Sequence, residues 1–242
     1  MAIFTYNDKV CIPDLDNNLN LSIKGIIRMM QEAANLASTK CGYGIVNIND
    51  TKRSWVLLYW RIKIVKNVSY NSKVTIKTWA NFTKGLYSNR KFEIYSDENL
   101  VAIADSKWLF VDTREHTIQK IPDDLVKQFG KVNKELFEKE LSIRIKLSET
   151  AKKIYEYTPI KRDLDFNGHV NNMSFLDIAI EALPEEVNNL NFKYLTIVYK
   201  KEIMYKEKVS CYYEKKDDEY NIYLYSQDTS TLHALVTLKE QE

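Results

Sequence analysis

The chain has 242 residues, 45% apolar and 12% aromatic, enough for a substantial buried core in one large domain or two small ones. Its 35 Lys and Arg against 33 Asp and Glu leave a formal charge of +2, which excludes the strongly basic field of a dedicated nucleic-acid binder. No apolar run reaches membrane-spanning length, and Met1-Ala2-Ile3-Phe4-Thr5-Tyr6 lacks the charged start and long apolar core of a secretion signal, so a cytoplasmic protein without membrane contact is expected.

Tyr6–Ile12 reads as a short strand, ended by Pro13 and a polar Asp/Asn turn. Ser22 is a candidate N-cap for a helix whose apolar positions Ile23, Ile26, Ile27 and Met30 recur at three- and four-residue spacing, which predicts one buried face. Gly42 and Gly44 break that pattern. Val56–Val65 and Val74–Trp79 have strand composition, and Lys91–Tyr95 and Val101–Val111, separated by Ser96-Asp97-Glu98-Asn99, read as an antiparallel hairpin. Residues 121–141 are charged, contain Gly130 and show weak helical periodicity at Leu125, Val126 and Phe129, which predicts a connector with a boundary near residue 140.

The order then repeats. Ile154–Tyr157 is the opening strand, followed by the polar stretch Asp163–Asn172 and a helix from about Met173 to Leu183 stopped by Pro184. Tyr194–Glu202, Tyr220–Tyr225 and Leu232–Leu238 are further strand candidates, the last two forming another hairpin. The repetition extends to residues: Asp14-Leu15-Asp16-Asn17-Asn18-Leu19-Asn20 aligns without gaps on Asp163–His169 at an offset of 149, and Tyr59–Asn67 aligns on Tyr194–Glu202 at an offset of 135. A long helix followed by a curled antiparallel sheet, twice over, predicts an α+β protein of two tandem hot-dog repeats, residues 1–140 and 141–242.

Chemistry concentrates in Asp163-Leu164-Asp165-Phe166-Asn167-Gly168-His169-Val170-Asn171-Asn172, which gathers acids, amides and an imidazole ahead of a helix. His169 is the natural proton handler. If the segment is extended, Asp165, Asn167 and His169 alternate onto one side, and the start of the following helix offers backbone amides to a developing oxyanion. Clusters of this kind more often make turns and caps, and Asn171 and Asn172 are read mainly that way. A calcium-loop reading fails because Ser174 stands where the closing Glu is required. Cys11, Cys41 and Cys211 are scattered and lack CxxC spacing, so unpaired thiols in a reducing compartment are expected, with no metal site and no cofactor. His116 reads as a surface-loop residue and His233 as a structural strand residue; Trp55, Trp60, Trp79 and Trp108 read mainly as core.

The stretch from Asp163 to Asn172 resembles the motif of the acyl-acyl carrier protein thioesterases of plants and bacteria. Tyr199-Lys200-Lys201-Glu202 is similar to that family's Tyr-Arg-Arg-Glu segment, and Thr78-Trp79 and Ser106-Lys107-Trp108 to its tryptophan signatures. The resemblance implies a double hot-dog fold and hydrolysis of fatty acyl thioesters in fatty acid biosynthesis. It carries over Asp165, Asn167 and His169 as catalytic residues and Glu202 as a fourth member of their network. One departure is Ile203, where many plant members have Cys, so a cysteine nucleophile is absent there and water must attack directly. In the first half Asn20 replaces His169 and Asn67 replaces Glu202, which removes both titratable groups while the apolar helix positions persist. That half is therefore expected to build the acyl pocket, with Ile23, Ile26, Ile27 and Met30 setting chain length.

The implied partner, an acyl-loaded carrier protein, is acidic, and Lys200, Lys201, Lys206 and Lys208 are the candidate docking cations. Pairing into a homodimer is compatible with the sequence but not specified by it. An acyl-coenzyme A hydrolase and a non-catalytic acyl-binding module are the alternative functions.

Overall fold

The computed structural model describes residues 2–83, 85–187 and 190–240. By internal contacts the chain separates into Met1–Glu140 and Leu141–Glu242. The N-terminal unit contains β1 (Phe4–Lys9), α1 (Ile23–Lys40), α2 (Ile48–Thr51), β2 (Arg53–Ile64), β3 (Lys73–Thr83), β4 (Tyr87–Ser96), β5 (Asn99–Asp112), β6 (Thr117–Ile118) and α3 (Asp123–Phe129). Its strands run antiparallel in the order β1-β3-β4-β5-β2, with β6 on the end of β5.

Ser22 is the N-cap of α1, its hydroxyl accepting the Gly25 amide at 3.0 Å. The apolar stripe behaves as its spacing predicts: Ile26, Ile27 and Met30 are buried and Ile23 is half-buried. Met29, Ala33, Ala34 and Ala37 widen the buried face, which packs on β3 and β1. Opposite it the sheet contributes Ile62, Ile76, Phe92 and Ile94, all fully buried.

The first strand lies at Phe4–Lys9 rather than Tyr6–Ile12. Ile12 is 73% exposed and begins a one-turn 3-10 helix with Pro13, which has no N–H to continue a ladder. β3, β4 and β5 also run longer than their apolar alternation implies, because polar positions on the outer sheet face are paired. Asn81 bonds both the Val132 carbonyl and the Val132 amide. Lys91 meets Glu135 and Lys134 meets Glu93, each at 2.5 Å. Arg61 grips Asp105, donates to the Lys139 carbonyl at 2.7 Å and lies 4.0 Å from the centre of the Phe137 ring. The expected connector is therefore a strap across its own unit. It is preceded by α3, whose Leu125 and Phe129 are buried with Ala37, Cys41, Ala80, Phe110 and Ile121.

The C-terminal unit contains β7 (Lys152–Tyr157), α4 (Ser174–Glu181), β8 (Tyr194–Tyr199), β9 (Val209–Lys216), β10 (Glu219–Ser226) and β11 (Leu232–Lys239). Its antiparallel order is β8-β11-β10-β9-β7. α4 buries Phe175, Leu176, Ile178 and Ala179 and packs on β10 and β11. It has 8 residues against 18 in α1; Pro184 obstructs the backbone one turn earlier, so the helix closes at Glu181. β8 stops at Tyr199, leaving Lys200–Glu202 outside the ladder, and β9 was not among the strands expected from the sequence. Each unit is thus a helix laid on an antiparallel sheet, the α+β arrangement that the repeated pattern predicts.

Candidate active site

The site begins with a turn. The Asp165 amide donates to the His169 carbonyl at 2.8 Å and the Gly168 amide to the Asp165 carbonyl at 3.1 Å, while Leu164 and Val170 form an antiparallel bridge across the base. Asp165 Oδ1 accepts the amides of Asn167 at 2.8 Å and His169 at 3.2 Å. Gly168 has φ of +79°, a left-handed conformation that glycine adopts without steric cost. The extended geometry expected of this segment is therefore replaced by a tight Asx turn. An Asp followed two and four residues later by donors can satisfy its backbone internally, and that local gain outweighs extension.

Asp163 fixes the turn from behind. Its Oδ2 accepts the Tyr157 hydroxyl at 2.8 Å and the Ile160 amide at 2.7 Å, and its carbonyl accepts the Asn171 amide at 2.7 Å. Burial and the Asp163 carboxylate push the Tyr157 hydroxyl up to about 12, so it stays protonated and donates. Asn171 then caps the helix: its side chain accepts the Met173 amide at 2.9 Å and its carbonyl the Ser174 amide at 2.8 Å. Those two amides are occupied and are not available to an oxyanion. Asn172 offers its carbonyl to the buried Tyr199 hydroxyl at 3.0 Å, which ties the start of α4 to β8.

Glu202 comes to the site through the backbone. The Val170 amide donates to the Ile203 carbonyl at 2.9 Å, and His169 bridges Met204 antiparallel. This register sets Asn171 opposite Glu202, so His169 and Glu202 are diagonal neighbours on one face; such neighbours lie about 7–8 Å apart at the backbone. Val170 and Ile203 on the other face are buried. Glu202 is exposed, His169 and Asp165 are half-buried, and Asn167 is exposed with its amide 3.4 Å from Asp165 Oδ2. A water molecule and a carbonyl group could both be reached from this face. Lys200, Lys201, Lys206 and Lys208 are all exposed along the same segment.

The sequence reading missed what lies behind it. His233 is fully buried, with Nδ1 3.1 Å from the Glu202 carbonyl and Nε2 3.3 Å from Glu207 Oε1. The latter contact is within ion-pair distance but is not aligned as a hydrogen bond, and Nε2 has no other partner among the described residues. The Cys41 and Cys211 thiols are raised by burial, Cys211 to about 12, which leaves neither thiol reactive.

The N-terminal unit repeats the backbone bonds of this turn. Asp16 Oδ1 accepts the Asn18 and Asn20 amides at 2.8 and 2.9 Å, the Asp16 amide donates to the Asn20 carbonyl at 2.8 Å, and Leu15 bridges Leu21. Leu21 donates to the Val68 carbonyl at 2.7 Å, as Val170 does to Ile203, and Asn20 bridges Ser69 as His169 bridges Met204. Leu19, with φ of 60°, stands where Gly168 does. Asp165 and Asn167 thus have identical counterparts, Asp16 and Asn18, in a turn with no imidazole, whereas the counterparts of His169 and Glu202 in the alignment are Asn20 and Asn67.

Comparison with known proteins bears on both units. Residues 2–129 match the family model described as the acyl-ACP thioesterase N-terminal domain, and residues 146–239 the acyl-ACP thioesterase C-terminal domain. Among curated proteins, the chain is 23% identical over 220 residues to oleoyl-acyl carrier protein thioesterase 2, chloroplastic, of Arabidopsis thaliana, covering 82% of this chain and 60% of the relative. It is 22% identical over 236 residues to the oleoyl-acyl carrier protein thioesterase, chloroplastic, of Coriandrum sativum, covering 89% and 64%. The chain therefore spans roughly three fifths of the length of these relatives. Among solved structures, an acyl-ACP thioesterase from Bacteroides thetaiotaomicron superposes with a TM-score of 0.87 at 19% identity, covering 98% of this chain and 97% of that one. The 12:0-ACP thioesterase from Umbellularia californica gives 0.85 at 17% identity, covering 99% and 97%. These likenesses establish the fold as the tandem double hot-dog.

Because Asp16 and Asp165 make the same contacts, Asp16→Ala and Asp165→Ala are expected to lower stability by similar amounts, about 1 kcal/mol each, the usual cost of a lost side-chain cap. Urea unfolding of both variants checks this; a loss confined to Asp165→Ala would show that the two turns are not equivalent.

Proposed function

Since the chain belongs to the acyl-ACP thioesterase family, matched over both its N- and C-terminal domains, we propose that it hydrolyses fatty acyl-acyl carrier protein thioesters to free fatty acid and carrier, using water activated by the His169 and Glu202 face. The observation that carries this reading is the internal comparison: two turns with the same backbone bonds, of which only the C-terminal one bears an imidazole and, diagonally across the strand pair, a carboxylate.

The division of labour follows from that comparison. Asp165 spends Oδ1 on two backbone amides, and its counterpart Asp16 does so where no chemistry is expected. It is read as the residue that shapes the turn. Glu202, exposed and without such ties among the described residues, takes the proton from water as the oxygen attacks the thioester carbonyl. His169 delivers a proton to the departing sulfur when the C–S bond breaks, and Asn167 presents its amide toward the carbonyl oxygen. One water is consumed, acid and thiol leave, and the proton that Glu202 took from water passes to His169, which restores both groups.

The acyl chain is assigned to the N-terminal unit, where Ile26, Ile27 and Met30 face the apolar interior of the helix–sheet layer and Ile23 stands at its margin. Lys200, Lys201, Lys206 and Lys208 flank Glu202 and suit an acidic carrier, where charge speeds encounter more than it fixes affinity. A cytoplasmic address is part of the same proposal and draws on three cysteines that are all unpaired.

His169→Asn and Glu202→Asn, which install the residues of the N-terminal unit, are expected to lower kcat on an acyl-acyl carrier protein by about 10²- to 10⁴-fold with folding intact. Near-normal turnover in either variant would refute the assignment, and faster hydrolysis of acyl-coenzyme A than of the carrier-linked substrate by the unmodified protein would redirect it. Ile26→Phe should shift the product profile toward shorter chains and Met30→Ala toward longer ones; gas chromatography of released acids showing unchanged profiles would remove these residues from the pocket.

A further inference from the structure

We propose that His233 and Glu207 are positioning residues for the reaction, holding the segment that carries Glu202 against the His169 turn. This rests on the reading of His169 and Glu202 as the reacting pair.

His233 sits on β11 and touches the Lys200–Glu207 segment on both sides of Glu202. Its backbone carbonyl accepts the Lys200 amide at 2.8 Å and the Lys201 amide at 3.3 Å. Its Nδ1 lies 3.1 Å from the Glu202 carbonyl, and because a carbonyl oxygen only accepts, Nδ1 carries the proton. Its Nε2 faces Glu207 Oε1 at 3.3 Å. Glu207 in turn closes the segment on itself: Oε2 accepts the Met204 amide at 2.8 Å, and the Glu207 amide donates to the Met204 carbonyl at 3.1 Å. Met204 is the residue that His169 bridges. The chain of contacts therefore runs from the imidazole of His233 through Glu207 and Met204 to the backbone of His169, and separately to the carbonyl of Glu202 itself.

The N-terminal unit supplies the control. There the Val65 and Lys66 amides donate to the Val101 carbonyl at 2.8 and 3.1 Å, and the Ser72 amide approaches the Ser69 carbonyl at 3.4 Å. Val101 thus occupies the place of His233 and Ser72 that of Glu207. The same backbone connection forms around a buried valine, 1% exposed, so the fold itself does not need an imidazole there. Burying one beside a carboxylate carries a desolvation cost that a valine avoids. That cost is borne in the unit that holds His169 and Glu202, and is absent from the unit that has Asn20 and Asn67 in their places.

The test uses the full chain with His233→Val and Glu207→Ser, the residues of the N-terminal unit, in steady-state hydrolysis of an acyl-acyl carrier protein and in amide hydrogen exchange. A misplaced base costs rate rather than binding, so kcat should fall by about 10- to 100-fold with KM nearly unchanged. Exchange at the Met204 and Val170 amides should quicken by roughly tenfold while β10 stays protected. Glu207→Gln, which keeps an oxygen for the Met204 amide, should retain most of the rate. Unchanged kcat in both the valine and serine variants, or unchanged protection of Met204 and Val170, would overturn the proposal. If His233→Val does not fold, Glu207→Ser decides, since the Glu207 side chain is 31% exposed. An unmodified protein without thioesterase activity would defeat the functional reading instead, and hydrogen exchange would still decide whether the pair holds the segment.

Discussion

The Val170 amide meets the Ile203 carbonyl across 2.9 Å, and both side chains are buried on one face of that short pairing. Because strand neighbours alternate, burying this pair forces His169, Asn171, Glu202 and Met204 onto the other face. A slip of one residue would send His169 and Glu202 into the core and the apolar pair into solvent. Burial of a Val and an Ile at roughly 1.5–3 kcal/mol each opposes that slip. The register of His169 and Glu202 is thus set by the apolar side chains of Val170 and Ile203.

The duplication lets the structure separate support from reaction. Asp16 and Asp165, and the bridges Leu15 to Leu21 and Leu164 to Val170, do the same work in both turns. Where the halves part, at His169, Glu202, Glu207 and His233 against Asn20, Asn67, Ser72 and Val101, the C-terminal unit carries titratable groups and the N-terminal unit neutral ones. A residue that is shared by both copies can still matter for rate, but it acts through shape. Under the proposed reading the fold is common to both units, and the chemistry lies in the few positions by which the C-terminal one differs.

Much of this was legible in the chain. The helix stripe at Ile26, Ile27 and Met30, the Ser22 cap and the two alignment offsets are local signals, and local signals survive folding. The polar motif marked the candidate site, but its alternation suggested an extended segment; hydrogen bonding of Asp165 to its own turn was the stronger effect. What sequence could not supply was long-range. His233 read as an ordinary strand residue because its partner Glu207 lies 26 positions away and its contact with Glu202 is to a carbonyl, which every residue has. The strap over the outer sheet face escaped notice for the same reason: Lys91, Glu93 and Arg61 look solvated until Glu135, Lys134 and Lys139 are laid over them.

Interdependence of His169 and Glu202 is the central claim, and a double-mutant cycle measures it most directly. With single-turnover rates of the parent, His169→Ala, Glu202→Gln and the combined variant on one acyl-acyl carrier protein, groups acting as one unit should give a double variant no slower than the worse single. Rate losses that simply multiply would contradict a shared role and separate the two residues.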